Sequence, residues 1–441
     1  MIPAWFPNAV PPDIWLRNAQ VPAAVLAGAP GPEDVEGLVR LDLRITDGRI
    51  AAIAGAGTAP GGIDLDRGQV WPCFVDGHVH LDKTQTWPRQ PNPDGTPAGA
   101  RKAVIADRGK YYSQNDIEPR FDFGLRCALA HGTAAIRTHL DSYWPDARAH
   151  WAVFRRMREA WAGRIDLQAV SICPLDRFAG DDGLALADEV ADSHGILGMT
   201  TSGEGGRASS PEFQALLDRF FWLAEQRGLA LDLHLDETGD ASSRALDAVA
   251  RTALRRGFKA PIQVGHVCSL SVQTEAEARA TIGLCADAGL RVINLPMCNM
   301  YLQGRQADRT PRWRGITMVH EFRSAGVPVS FASDNCRDPF YAYGDYDMME
   351  VYREAVRIAQ LDHRFGAWGA SVTATPADSC GFADRGCIAV GAPADLVLFR
   401  ARSMTELLAR PQSDRVILRT GKPLDVSVPD FRELDLVLGV P

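Results

Sequence analysis

Polar and apolar positions alternate over residues 41–53 (LDLRITDGRIAAI) on either side of Asp47-Gly48, a dipeptide that favours a tight turn, so the stretch reads as a β-hairpin. Residues 386–399 (GCIAVGAPADLVLF) and 415–423 (RVILRTGKP) read as further short strands, broken by glycine and proline. Between these ends, residues 72–375 alternate short apolar runs with helical patterns, the signature of a parallel sheet with crossover helices. That length suits a closed barrel. The expected fold is therefore α/β: a (β/α)8 TIM-like barrel over residues 72–375, with a small β-sandwich built jointly from residues 1–71 and 376–441.

One unit of the repeat is especially clear. Over residues 211–228, Phe213, Leu216, Leu217, Phe220, Phe221 and Ala224 recur at helical spacing, and residues 229–236 follow at strand spacing. In that strand Leu229, Leu231, Leu233 and Leu235 share one face while Asp232, His234 and Asp236 share the other. The apolar face meets helices. The polar face must then point into the interior, where such groups are costly unless something binds them.

Composition narrows the function classes. Hydrophobic residues make up 46% and charged residues 23% of 441, enough for a large core and incompatible with wholesale disorder. A net charge of -8, with no run rich in lysine or arginine, opposes binding to nucleic acid. The N-terminus lacks a basic segment followed by an apolar one, and no stretch of about 18 apolar residues occurs, so no membrane association and a cytoplasmic location are expected. The nine cysteines stand singly, without CxxC pairs, which argues against a disulfide framework and a structural zinc finger.

The chemistry-bearing residues lie at strand ends. His78 and His80, two apart after the apolar run WPCFV, point to the same side of a strand, where two imidazoles can converge on one ion. His234 in LDLHLDE, His266 in IQVGHVCS and Asp334 in VPVSFASDN each follow a short apolar run as well. In a barrel the C-terminal strand ends build the active site.

Through FVDGHVHLDKTQT, RTHLDS, LDLHLDE, VGHVCS, LQGR, RWRGIT and SDNCRDP, and through GAPADLVLF in the terminal β module, the sequence resembles the amidohydrolase superfamily, and within it the cytosine deaminase family, over nearly its whole length. The resemblance implies that His78, His80, His234 and Asp334 hold one divalent metal ion, Zn2+ or Fe2+. It also implies that Glu237 shuttles protons, that His266 orients the attacking water, and that Asp334 accepts a hydrogen bond from it. Binding to such an ion can lower the pKa of water from about 15.7 to about 7. The expected partners are water and a small heterocyclic substrate, and barrel relatives of this kind commonly assemble as homo-oligomers.

Lys83 lies too early in the chain to be the lysine that bridges two metals in other amidohydrolases, and reads as a surface or supporting cation. His139 is read as a supporting or structural histidine, and His131, His150, His194, His320 and His363 as structural or exposed. Gln303, Asn335, Leu175, Trp313 and Phe340 are candidate substrate contacts, Trp313 by stacking on a flat ring.

The pattern departs from cytosine deaminases at two places. In IDLQAVSICPLD, Pro174 or Leu175 stands where the family carries a glutamine that reads cytosine, and neither side chain can donate a hydrogen bond. Asn335 replaces an aspartate, as in triazine N-alkyl amidohydrolases. The leading expectation is hydrolytic deamination of an amino-substituted N-heterocycle that is cytosine-like, isoguanine-like or pterin-like. Removal of an alkylamine from a triazine, or opening of a cyclic amide or amidine, is the alternative. A non-catalytic assembly protein is the third reading, disfavoured because every ligand position is filled.

Overall fold

In the computed structural model, which describes residues 2–28, 31–201 and 207–439, the chain is mixed α/β and divides into two units. The first comprises Met1–Asp76, Arg126–Ala135 and Tyr346–Pro429, and the second Gly77–Leu125, Ile136–Asp345 and Asp430–Pro441.

The first unit carries an eight-stranded sheet. Asp13–Pro22 pairs antiparallel with Leu38–Thr46, which pairs antiparallel with Arg49–Gly55. The turn between the last two is the expected one: Thr46 opposes Arg49, and Asp47 (φ 48°) and Gly48 (φ 79°) both have positive φ, the backbone a two-residue turn of this hand requires. Gly48 is also needed for space, because a Cβ there would lie 2.8 Å from the Thr420 carbonyl oxygen. Gln69–Pro72 pairs with Leu396–Phe399, setting Trp71 opposite Val397, and Val416–Arg419 and Lys422–Pro423 complete the sheet. Strands from both terminal regions thus share one sheet, and Val39, Leu41, Leu43, Ile45, Leu396, Leu398 and Val416 contribute to one buried cluster. Of residues 386–399 only Leu396–Phe399 is a strand, since Gly386 and Gly391 take positive φ and break the rest.

The site-bearing strands, numbered in chain order, are β1 (Phe74–Val79), β2 (Thr133–Asp141), β3 (Asp166–Ile172), β4 (Leu231–Leu235), β5 (Ile262–His266), β6 (Arg291–Asn294) and β7 (Val329–Phe331). β1, β2 and β3 form one sheet, and β4, β5, β6 and β7 form a parallel one. The ladders among the described residues do not make one closed sheet. Single parallel bridges lie between Val79 and Asp334, Val170 and Ile196, Leu197 and Leu231, and Thr200 and His234.

Leu231, Leu233 and Leu235 on one face of β4 are fully or almost fully buried, and Asp232 and His234 on the other are buried too, so this strand is covered on both sides. The preceding helix runs Pro211–Glu225, with Ser210 accepting a hydrogen bond from the Phe213 amide, and stops three residues short of the expected 228. Three strand ends turn through positive φ at residues other than glycine: Asp236 (51°), His266 (67°) with Val267 (42°), and Asp334 (63°). Such backbone costs about 1–3 kcal/mol per residue and persists where the surroundings enforce it.

Candidate active site

His78 lies in β1 and His80 just beyond it, and both are buried. The Asp334 amide donates to the His78 carbonyl at 2.9 Å, which brings the Asp334 side chain to the same place. Its Oδ1 lies 3.2 Å from Nε2 of His80 and 3.6 Å from Nε2 of His78. His234, from β4, joins through Nε2, 3.4 Å from that of His80. Gly265 in β5 leaves room for this packing, since a Cβ there would lie 3.2 Å from Cε1 of His78.

The donor set fits a metal ion. Both ring nitrogens of His78, Nδ1 of His80 and of His234, and both Asp334 oxygens are buried without a hydrogen-bond partner, an arrangement that would be costly if nothing bound them. Ligand atoms of His78, His80 and Asp334 lie within 4.8 Å of one another, and so do those of His78, His139 and His234. Burial, reinforced by the surrounding imidazoles, pulls His78 and His234 well below the ordinary histidine range. Burial and the Lys83 charge bring His80 to about 4, against the pull of Asp334. All three are therefore neutral near pH 7, the form that ligates. Burial raises the Asp334 carboxyl, but contact with His80 and the neighbouring His266 outweigh it and hold the group at about 2.

His139, read from sequence as a supporting or structural residue, stands inside this cluster with its ring centroid 3.9 Å from that of His78. Its Nε2 lies 3.2 Å from Oδ1 of the buried Asp232, whose other oxygen accepts from Arg137 at 2.9 Å and Gln263 at 2.8 Å.

Next to the cluster, Nδ1 of His266 lies 3.5 Å from the Glu237 carboxylate and 2.9 Å from the Asn299 amide nitrogen. With that amide donating to Nδ1, Nε2 is the ring nitrogen left to carry a proton, and it is buried with no described partner. Burial, aided by the charge of Asp334, raises the Glu237 carboxyl above the ordinary range despite His266, Arg101 and Lys83. A carboxyl shifted this way holds a proton more readily than a free one, which suits a group that accepts and returns one.

These groups open into a cleft of about 690 Å³, counting its open mouth. His80, His234, Glu237 and His266 form its polar floor, and Val104, Ile172, Cys173 and Phe340 are among its walls. Of the sequence-predicted substrate contacts, Asn335 and Phe340 line it, and the Asn335 amide donates to Asp338 at 2.6 Å. Leu175 does not: it is fully buried in a short helical turn, and Ile172 and Cys173 face the cleft from this strand instead. Gln303 also stands outside the lining, its amide donating to the Glu237 carbonyl at 3.3 Å, and Trp313 is anchored to the Ser271 hydroxyl at 3.1 Å. Both support the segment around Glu237 rather than the cleft wall.

Lys83 is a cleft residue, not a surface one. It is 5% exposed and reaches Asp141 at 3.2 Å, while Arg108 takes the other Asp141 oxygen at 2.9 Å and lies over the Tyr143 ring. Burial opposes the Lys83 charge, but Asp141, Asp82 and Asp338 outweigh it and hold the ammonium above its usual range. His150 is buried as well, with Nδ1 2.7 Å from Asp82.

Sequence reasoning missed the helix Pro97–Tyr111, which starts at a Thr96 cap and supplies Arg101, Val104, Ile105 and Arg108 to the cleft. Their spacing of three, four and seven puts them on one helix face. The pattern is legible in sequence, but not what that face would cover.

Residues 177–422 match the model of the amidohydrolase family. The chain is 50% identical over 428 residues to a pterin deaminase of Rhizobium rhizogenes (strain K84 / ATCC BAA-868), covering 96% of each protein. It is 26% identical over 372 residues to an N-isopropylammelide isopropyl amidohydrolase of Pseudomonas sp. (strain ADP), covering 82% of this chain and 88% of that one. The crystal structure of 5-methylcytosine deaminase from Klebsiella pneumoniae liganded with 5-fluorocytosine shares the fold, with a TM-score of 0.79 and 24% identity, over 95% of this chain and 98% of that one. With a strand-end cluster of histidines and an aspartate that could hold a metal, and with these relatives, the chain belongs to the amidohydrolase family.

Proposed function

We propose that this protein is a hydrolytic deaminase of an amino-substituted N-heterocycle, and that the ring is a pterin. Water adds at the carbon bearing the amine, the C–N bond breaks, and the products are the oxo ring and ammonia. The observation that carries this reading is the meeting of Glu237, raised above its ordinary range, with His266 at 3.5 Å beside a buried His/Asp cluster in one cleft. The pterin assignment draws on the 50% identity to the Rhizobium rhizogenes pterin deaminase.

His78, His80, His234 and Asp334 would hold one divalent ion, zinc or ferrous iron, and that ion would supply the acidified water. Glu237 takes one proton from the water and delivers it to the ring nitrogen, and the second water proton, left on the hydroxyl of the ring carbon, passes to the amine as the C–N bond breaks. His266 donates from Nε2 to the entering oxygen, and Asp334 accepts from it. Asn335 and Phe340 bound the ring on one side, and His139 steadies His78 through their close ring contact.

We read the strands of residues 72–375 as one eight-stranded barrel, in which the short stretch at residues 196–200 supplies the missing strand, and residues 1–71 and 376–441 as one composite sandwich. The single bridges named above support the barrel, as does one between Pro174 and Thr200, since they fall between neighbours that a closed order requires. The protein is read as a homo-oligomer, by analogy with related barrels.

A second reading, removal of an alkylamine from a triazine, is favoured by Asn335 and by the relative in Pseudomonas. Incubating the metal-loaded enzyme with pterin, isoguanine, cytosine and N-isopropylammelide, and measuring ammonia and isopropylamine separately, distinguishes the two. Ammonia from pterin is the expected result. Isopropylamine release with no ammonia from any of the other three rings would reverse the assignment.

A further inference from the structure

The helix Pro296–Leu302 brings a fully buried asparagine, Asn299, to the pair formed by Glu237 and His266. Among the described residues, Nδ1 of His266 faces the Asn299 amide nitrogen at 2.9 Å and the Glu237 carboxylate at 3.5 Å. These two neighbours ask opposite things of a neutral ring. A proton on Nδ1 would point to the carboxylate and leave Nε2 with a lone pair, whereas a lone pair on Nδ1 takes the amide and leaves the proton on Nε2. The distances favour the second arrangement, because 2.9 Å is an ordinary hydrogen bond and 3.5 Å lies at the edge of one.

Asn299 is held on both sides by its backbone. Its amide donates to the Leu295 carbonyl at 3.0 Å and its carbonyl accepts from Gln303 at 2.9 Å. Gly315 packs so closely on that carbonyl that a Cβ there would lie 2.7 Å from the oxygen. The side chain, by contrast, has one described bond, the one to His266, and its Oδ1 is buried without a partner. A buried asparagine kept for packing would satisfy both ends of its amide. This one is fixed in place with its donor aimed at the imidazole. Gln303, which ends the same helix, donates to the Glu237 carbonyl, so one short element touches both members of the pair.

We propose that Asn299 is a positioning residue: by donating to Nδ1 it keeps the His266 proton on Nε2, the atom that would donate to the entering oxygen. The proposal rests on the deaminase reading above for the use made of that proton, whereas the tautomer itself belongs to the folded protein and is measured without substrate. With the amide removed, Glu237 is the partner left to Nδ1 and draws the proton there. The ring would then offer a lone pair to the entering oxygen, where a donor is needed.

Nitrogen NMR of the zinc-loaded protein, isotopically labelled at its histidines, reads the tautomer, and His266→Gln identifies the signal that belongs to His266. The wild type should show a protonated Nε2 and a bare Nδ1. Asn299→Leu, close to asparagine in size but without a donor, should show the proton moved in part or whole to Nδ1. The same variant should lower kcat by about 10–100-fold, less than the ~10²–10³-fold weight of a whole preorganised donor, with KM within about threefold of the wild type. Adding Asn299→Leu to His266→Gln should cost less than about threefold more, since a residue that acts through another has nothing left to act on. Asn299→Ala replaces the leucine variant if that one does not fold, and the wild-type spectrum decides if neither does. A proton on Nδ1 in the wild type, an unmoved proton in a folded variant, or losses that multiply in the double variant would overturn the proposal. If none of the rings releases ammonia, the deaminase reading fails on its own account, and the spectra alone decide this one.

Discussion

The carboxylate of Asp236 accepts the Ser243 hydroxyl at 2.7 Å and also takes the Ala245 and Leu246 amides at 3.0 and 2.9 Å, so it caps the helix Ala245–Arg256 from outside. Those amides open the helix and have no partner within it. The next residue in the chain is Glu237. A bond network that serves helix stability therefore also fixes where the proposed proton carrier stands, with Asp236 at φ 51° making the turn between the two roles.

Asp236→Ala strands three buried donors, and we expect a loss of about 2–4 kcal/mol of stability. Turnover of the folded variant should fall as well, because Glu237 loses its anchor. Thermal melting gives the first, and ammonia release well below the melting temperature gives the second. A variant that melts like the wild type would refute the capping role.

Asp334→Ala and Glu237→Gln should separate binding from proton transfer. The first removes a proposed metal donor from the cluster and should emerge with less than half the metal of the wild type by elemental analysis. The second should retain its metal and lose turnover by ~10²–10⁴-fold. Full metal content in Asp334→Ala would exclude it as a ligand.

Asp338 supplies a dependence on pH. Burial pushes its carboxyl up to about 7, against Lys83, the Asn335 amide and two backbone amides that favour the charged form. The folded protein therefore holds this proton more tightly than the unfolded chain, and stability falls as pH rises from about 4, where the unfolded carboxyl ionises, to about 7. Asp338→Asn removes that loss. Its melting temperature relative to wild type should climb over this interval and level off above it, and a difference that stays constant would exclude the shift.

In the first unit, Gly48→Val should cost about 1–3 kcal/mol, since a β-branched residue has to take φ 79° with its Cβ within 2.8 Å of the Thr420 carbonyl. Denaturant titration should show a lower midpoint. An unaltered midpoint would mean that the turn can rearrange.

The hairpin at Asp47-Gly48 and the helix leading into β4 were readable because each rests on local rules, turn chemistry in one and apolar spacing in the other. The cluster residues were readable because each follows an apolar run at a strand end, and the family resemblance joined them. Leu175 shows the limit: β3 ends at Ile172, Ile172 and Cys173 line the cleft where the strand gives way to the next turn, and Leu175 is buried inside that turn, a change of backbone that the sequence does not mark. Arg101 and Lys83 were hidden for another reason. Whether a cation faces water, a carboxylate or a ligand depends on tertiary neighbours, and local spacing carries no trace of them.

The residues of the His/Asp cluster and the walls of the cleft come from different kinds of backbone. The histidines and Asp334 sit in or at the ends of strands locked by ladders and bridges, whereas Arg101, Val104, Ile105 and Arg108 ride on a helix outside those strands. Mutations on that helix can redraw what enters without removing any residue of the strand-borne cluster. A scaffold divided this way lets a lineage change its diet without reinventing its teeth, and the varied names borne by relatives of the same fold are what such a division would leave behind.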